Sequence, residues 1–192
     1  MKGREGLPRY NEVMPERRNI ILIGFMGAGK SAVGRLLARR LGRCFVETDD
    51  MIAAMEGKSI PDIFRERGEA YFREKERAVL DLLALKEDHV VATGGGLPCQ
   101  PGNLARLKAL GTVVWLRGGF PTLYERASRS GARPLLSGRS REEAETLYRE
   151  REPFYAQADL TVETEGLGPE EIVRSLLRVF FSGLGPAESV VV

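Results

Sequence analysis

One short segment near the start of the chain, Gly24-Phe25-Met26-Gly27-Ala28-Gly29-Lys30-Ser31, restricts the fold more than any other. It fits G-x-x-x-x-G-K-[ST] at every specified position. The pattern works only between a strand and a helix. Its glycines let the backbone wrap closely with N–H groups turned inward, and the helix start adds the positive end of its dipole. Both neighbours are predicted here. Asn19–Gly24 is a β-branched apolar run ending at glycine, as a buried parallel strand does. Val33, Leu36, Leu37 and Leu41 recur at helical spacing between Lys30 and Leu41. Such a loop cradles phosphates: Lys30 reaches the β- and γ-phosphates of a nucleoside triphosphate and Ser31 ligates Mg²⁺. The segment is silent on what accepts the phosphate.

The rest of the chain continues the alternation. Strands are predicted at Cys44–Glu47, Val90–Ala92, Thr112–Leu116 and Leu160–Val162. Helices are predicted near Asp50–Glu56, from the Ser59–Asp62 cap to Gly68, and over Glu69–Lys86, Asn103–Leu110, Pro121–Ser128, Arg141–Tyr155 and Pro169–Phe181. Within Glu69–Lys86, Phe72, Val79, Leu80 and Leu83 share one face. Strands alternating with helices imply an α/β fold, a parallel sheet covered on both faces. Residues 19–182 make one domain, residues 1–18 are expected to be a flexible extension and 183–192 a frayed tail.

Composition narrows the function. A formal net charge of +2 gives no concentrated basic surface for nucleic acid. No run approaches the length of a membrane span, and the N-terminus lacks an apolar signal centre. Cys44 and Cys99 lie far apart without metal-ligand spacing, so two reduced thiols and a cytoplasmic protein are expected. His89 is the one histidine; it excludes a multi-histidine metal site, leaves acid–base chemistry to carboxylates, and is expected at a strand edge. Most of the 29 Lys and Arg residues are arginine, the side chain suited to bidentate grip of carboxylate and phosphate.

Three clusters mark the acceptor side. Glu47-Thr48-Asp49-Asp50 ends the second strand, where ligands of open α/β sheets bind. Arg73 follows Phe72 and shares a helix face with Glu69 and Glu76. Gly94-Gly95-Gly96 follows the third strand, as where a ligand touches bare backbone. Each also has a plain structural reading: a helix N-cap for Asp49 or Asp50, a surface ion pair for Arg73, a turn for the glycines. The residues taken singly leave both readings open.

Taken in order, the motifs resemble the shikimate kinase family. They are the Gly24–Ser31 loop, Glu47-Thr48-Asp49, Phe72-Arg73, Gly94-Gly95-Gly96, Arg133-Pro134-Leu135 and Arg151 before Pro153-Phe154-Tyr155. The resemblance spans about residues 19 to 180. It implies a P-loop NTPase fold of three layers, a five-stranded parallel sheet in the order 2-3-1-4-5, a substrate-binding region about 47–80 and a mobile lid about 128–142. It implies phosphorylation of shikimate at its 3-hydroxyl by ATP with Mg²⁺, a step towards aromatic amino acids. The partners it implies are those two small molecules, with no nucleic acid and no membrane, and the protein is expected to be a monomer. For the residues it implies that Asp49 orients or deprotonates the attacking hydroxyl, that Arg73 and Arg151 grip the ring carboxylate, and that Gly94, Gly95 and Gly96 back the ring, Gly95 donating an N–H. Lys30 and Arg133 would neutralise the transferring phosphoryl group, with Gly27, Ala28, Gly29, Lys30, Ser31 and Ala32 holding the phosphates. Arg126 would pack on adenine, and Ser31 and Glu47 would hold the metal. The family's first acid is Asp where this chain has Glu47, one methylene longer, and Ala32 stands where the family has Thr. Val162-Glu163-Thr164 resembles the adenine loop but lacks its basic residue. The competing readings are a kinase of the same fold for another small hydroxy acid such as gluconate, or for a nucleotide, and a ligand-sensing domain without catalysis.

Overall fold

The computed structural model describes residues 18–129 and 140–182. The first strand, β1 (Asn19–Ile23), is buried at every position. Its apolar run is continuous rather than alternating because both sheet faces are covered. It pairs in parallel with β3 (His89–Ala92) on one side and β4 (Gly111–Arg117) on the other, Ile20 standing opposite Val90 and Thr112. β2 (Cys44–Glu47) adds to β3, and β5 (Leu160–Glu163) to β4, so the sheet order is β2-β3-β1-β4-β5, all parallel. The expected order holds. Asn19 pins the lower end of β1: its amide donates to the carbonyls of Lys86 and Leu110 and accepts from the N–H of His89. His89 thus opens a strand, as expected.

Two glycines bracket α1 (Lys30–Leu41): Gly29 at φ 84° and Gly42 at φ 66° both take the left-handed turn that side chains resist. α2 (Thr48–Glu56) follows β2 directly. Its N-cap is Glu47, still extended, so Asp49 and Asp50 sit in the first helical turn. Neither is the cap, contrary to the structural reading of the sequence. The reason is that the strand runs straight into the helix with no intervening loop.

α3 (Ile60–Leu83) opens at Ser59, whose hydroxyl accepts from the N–H of Asp62. Gly68 breaks it at φ 77°, ψ 177°, where the sequence placed a boundary between two helices. The second half buries Phe72, Val79, Leu80 and Leu83. Truncating either of these leucines to alanine removes a fully packed side chain, a loss of about 2–5 kcal/mol. A single 3₁₀ turn, Leu97–Cys99, follows the glycine triplet and was not foreseen. The remaining helices are α4 (Asn103–Leu110), α5 (Phe120–Arg129), α6 (Arg141–Tyr155) and α7 (Pro169–Ser182). Ser140 and Glu143 form a reciprocal capping box at the start of α6. Among the described residues no helix is long and apolar enough to cross a membrane.

The strand order fixes where a ligand can enter. From β1 the chain crosses to β2 on the left; from β3 it crosses to β4 on the right. Right-handed crossovers in opposite directions lie on opposite faces. α1 accordingly packs with α7, and α3 with α4. Adjacent strands whose connections part in this way leave a crevice beyond their carboxyl ends. Here those strands are β1 and β3, which lead into Gly24 and Gly94.

Candidate functional site

A cleft of about 850 Å³ opens at that point. One wall is the Gly24–Ser31 loop. Gly27 and Gly29 have φ of 82° and 84°, and Gly24 one of 139°. A Cβ on Gly24 would stand 2.7 Å from the Leu116 carbonyl, and one on Gly27 would collide with the carbonyl of Leu123. At Gly24 and Gly27 the loop therefore lies on the end of β4 and the backbone of α5 with no room for a side chain. Phe25 anchors it from below, edge-on to Tyr148 at 5.3 Å. Lys30 is buried and bends over its own loop, donating to the carbonyls of Gly24 at 2.8 Å and Phe25 at 3.0 Å.

Beside the loop, the Ser31 hydroxyl donates to Glu47 Oε1 at 2.6 Å. Arg35 pairs with the other oxygen of Glu47 at 3.2 Å and lies over the Phe45 ring. The extra methylene of Glu47 is long enough to reach Ser31 from the end of β2. A hydroxyl and a carboxylate side by side are hard oxygen donors that suit Mg²⁺, which binds through one or two carboxylates with phosphate oxygens and water. Among the described residues no three His, Cys, Asp or Glu side chains gather as ligands. The donor set therefore fits Mg²⁺ held jointly with a nucleotide's phosphates.

The opposite wall joins three elements at the glycine triplet. Thr48 is wholly buried, and its hydroxyl accepts from the N–H of Gly94 at 2.9 Å, tying the start of α2 to the end of β3. Each glycine then lies closest to a different charged side chain among Asp49, Arg151 and Arg73. A Cβ on Gly94 would stand 2.5 Å from Asp49 Oδ1; on Gly95, 3.3 Å from Arg151 Nη1; on Gly96, 2.5 Å from Arg73 Nη1. The triplet is required by close approach, not by a tight turn, for none of the three has a positive φ.

Arg73 is neither on the surface nor loosely paired. Its Nη1 donates to Glu76 at 2.8 Å, and its Nη2 and Nε donate to Glu69 at 2.6 and 3.2 Å. Burial alone would pull the guanidinium down, but Glu76 and Glu69 more than offset it and hold it above its ordinary value. Burial pushes the Glu76 carboxyl up to about 7 against the pull of Arg73. Arg151 is buried over the Phe25 ring, and its Nη1 has no hydrogen-bond partner. Tyr155, one turn on, donates to the Gly95 carbonyl at 2.7 Å. Burial raises its phenol far above the usual range and pushes the neighbouring Cys99 thiol up to about 11, so both stay neutral.

The cleft collects Glu47, Asp49, Arg73, Gly94, Gly95, Gly96, Arg126 and Arg151 with Gly27, Gly29, Lys30, Ser31 and Ala32. Ala28 is buried behind the loop and does not line it. Arg133, Pro134 and Leu135 lie outside the described residues, as does most of the expected lid. Residues 162–164 do not reach the cleft: Thr164 is buried, its N–H and hydroxyl both bonded to the Arg117 carbonyl. From sequence, Thr48 and Tyr155 have no role, and Glu76 none beyond that of a helix-face neighbour of Arg73. A signal for Glu76 existed, since it falls on the apolar stripe of Phe72, Val79, Leu80 and Leu83, where a carboxylate survives only if paired.

The shikimate kinase family model matches residues 26–180. A shikimate kinase of Persephonella marina is 46% identical over 160 residues, covering 83% of this chain and 97% of that protein. The solved shikimate kinase of Acinetobacter baumannii in complex with shikimate superposes with a TM-score of 0.83 at 37% identity, covering 90% of this chain and 97% of that one. The crystal structure of the Aquifex aeolicus shikimate kinase superposes with a TM-score of 0.76 at 43% identity, covering 86% and 96%.

Proposed function

Because this chain belongs to the shikimate kinase family, we propose that it transfers the γ-phosphoryl group of ATP to the 3-hydroxyl of shikimate, giving shikimate 3-phosphate and ADP. One observation carries the reading: Asp49, Arg73 and Arg151, from three different helices, converge on Gly94–Gly96 across a single cleft from Lys30. A small ring bearing hydroxyls and one carboxylate asks for that set.

In this mechanism the loop N–H groups and the start of α1 hold the triphosphate. Lys30 exchanges its bonds to the Gly24 and Phe25 carbonyls for the phosphates. Mg²⁺, held by Ser31 and Glu47, supplies charge neutralisation to the phosphates when bound. Arg73 and Arg151 take the acceptor's carboxylate, and the Gly95 N–H joins them. Asp49 aims the 3-hydroxyl in line with the γ-phosphate and takes or steers its proton. Little covalent chemistry is asked of the protein, so rate comes from position and charge. Arg126 lies on the cleft where it can cover the adenine. Arg133 belongs to the proposed lid, residues 128–142, whose closure would bring it to the phosphoryl group and exclude water.

The corresponding organisation is one catalytic domain over residues 19–182, working as a monomer in the cytoplasm, where thiols such as Cys44 and Cys99 stay reduced. The test is ADP release with shikimate, gluconate or AMP supplied separately. Turnover with shikimate alone is expected. Turnover with gluconate or AMP and none with shikimate overturns the assignment.

A further inference from the structure

One carboxyl on the acceptor wall has no task in the mechanism above. Glu76 is fully buried on α3. Its Oε2 accepts from Arg73, while its Oε1, equally buried, has no hydrogen-bond partner and lies 3.4 Å from where a Cβ of Gly94 would stand. Charged and titratable groups face it from each neighbouring element. Arg73 is on its own helix, Asp49 on α2, Arg151 on α6 and Cys99 on the 3₁₀ turn. Glu69 holds the far side of Arg73 and is half-exposed.

The charges nearly balance before an acceptor arrives. Two arginines, Arg73 and Arg151, stand against two carboxylates, Asp49 and Glu76; Cys99 is neutral. An acid acceptor brings a third carboxylate into the same enclosed space. An uncompensated charge away from water is costly, and a titratable neighbour neutralises instead. Asp49 is required in its ionised form to accept from the acceptor's hydroxyl. Glu76 is the more buried of the two and is the one whose carboxylate competes for Arg73.

We propose that Glu76 takes up a proton when the acid acceptor binds, releasing Arg73 Nη1 to the acceptor's carboxylate. The proton comes from solvent, the buffer losing one for each that Glu76 gains, and Arg73 stays charged throughout. Glu76 is then a positioning residue, acting through Arg73 and not by touching the acceptor. Its burial, which lifts its carboxyl to about 7, places the uptake close to physiological pH. The inference rests on the acceptor reading given above and adds to it a coupling between binding and protonation.

Calorimetry on the intact protein tests it. Shikimate is titrated in at a pH just above 7 in phosphate and in Tris, whose ionisation enthalpies differ widely. The observed heat should depend on the buffer, with a slope equal to uptake of a large fraction of a proton per acceptor bound. Affinity should weaken with rising pH, by at most about tenfold per unit. Glu76→Gln should bind shikimate with no buffer dependence. A wild-type slope of zero, a slope of opposite sign, or an uptake that persists in Glu76→Gln overturns the proposal. Should Glu76→Gln fail to fold, difference infrared spectroscopy decides. A protonated-carboxyl band that appears when shikimate binds the parent protein, and that shifts when glutamate but not aspartate carries a carbon-13 carboxyl, supports it; no such band, or one that shifts only with labelled aspartate, overturns it. Shikimate giving no sign of binding by any of these measurements would instead overturn the acceptor reading, and this inference with it.

Discussion

The bare backbone of Gly96 lies against the guanidinium of Arg73: a methyl there would stand 2.5 Å from Nη1 and 2.9 Å from Nη2. Arg73 is clamped by Glu69 and Glu76, so it can make room only by giving up bonds at 2.6 and 2.8 Å. Gly96→Ala should therefore displace the acceptor's carboxylate anchor while leaving the loop around Lys30 untouched. We expect the KM for shikimate to rise on the order of tenfold to a hundredfold, as misplacement by about 1 Å does. The KM for ATP should change little. Steady-state kinetics with each substrate varied in turn check this, and a rise confined to ATP would place the acceptor's acid group elsewhere.

Asp49 stands against Gly94 at the head of α2 and lines the cleft. Asp49→Asn keeps the shape and removes the charge that orients, or receives a proton from, the hydroxyl. Turnover should fall by about 10²–10⁴-fold. Nucleotide affinity, read by titration with a fluorescent ATP analogue, should hold. Unchanged turnover would remove Asp49 from the mechanism.

Thr48 makes a prediction about stability rather than rate. Its buried hydroxyl is the partner of the Gly94 N–H. Thr48→Val keeps the volume and orphans that donor, a loss of about 1–3 kcal/mol. Urea unfolding should show the midpoint falling with no change in slope. Because Gly94 also backs Asp49, turnover should decline in the same variant. A variant as stable as the parent would mean that the strand end is held by the sheet alone.

Local signals made much of this molecule readable before its coordinates. The glycine-rich loop set the start of α1, and Pro169 with Glu170 and Glu171 set the start of α7. What the sequence hid lies where tertiary packing decides. The 3₁₀ turn at Leu97–Cys99 is too short to carry a period. The cap of α2 moved to Glu47 because β2 passes directly into the helix, a junction that no residue preference announces. Arg73 was visible as a partner of Glu69 and Glu76 at helical spacing, but not its burial, which depends on α3 laying that face against the glycine triplet. The acceptor side came from the order of the motifs, since Asp49, Arg73 and Arg151 are far apart along the chain and meet only through the sheet. The pairing of each with one glycine of the triplet is a property of the fold that no spacing could express.

Glu76 should also leave a mark on stability in the absence of any ligand. Its carboxyl titrates at about 7 in the folded protein against 4.5 ordinarily, because burial disfavours its charge more than Arg73 favours it. Between those values the folded state holds a proton that the unfolded chain has lost. Its contribution is therefore complete below about 4.5 and is lost as pH rises through about 7. Glu76→Gln carries no such charge at any pH. The stability of the parent relative to Glu76→Gln should fall across that window and then level off. Urea unfolding of both proteins at a series of pH values measures the difference directly. A difference that stays flat, or that grows with pH, would mean that Glu76 is ionised throughout and that its pairing with Arg73 outweighs the cost of burying it.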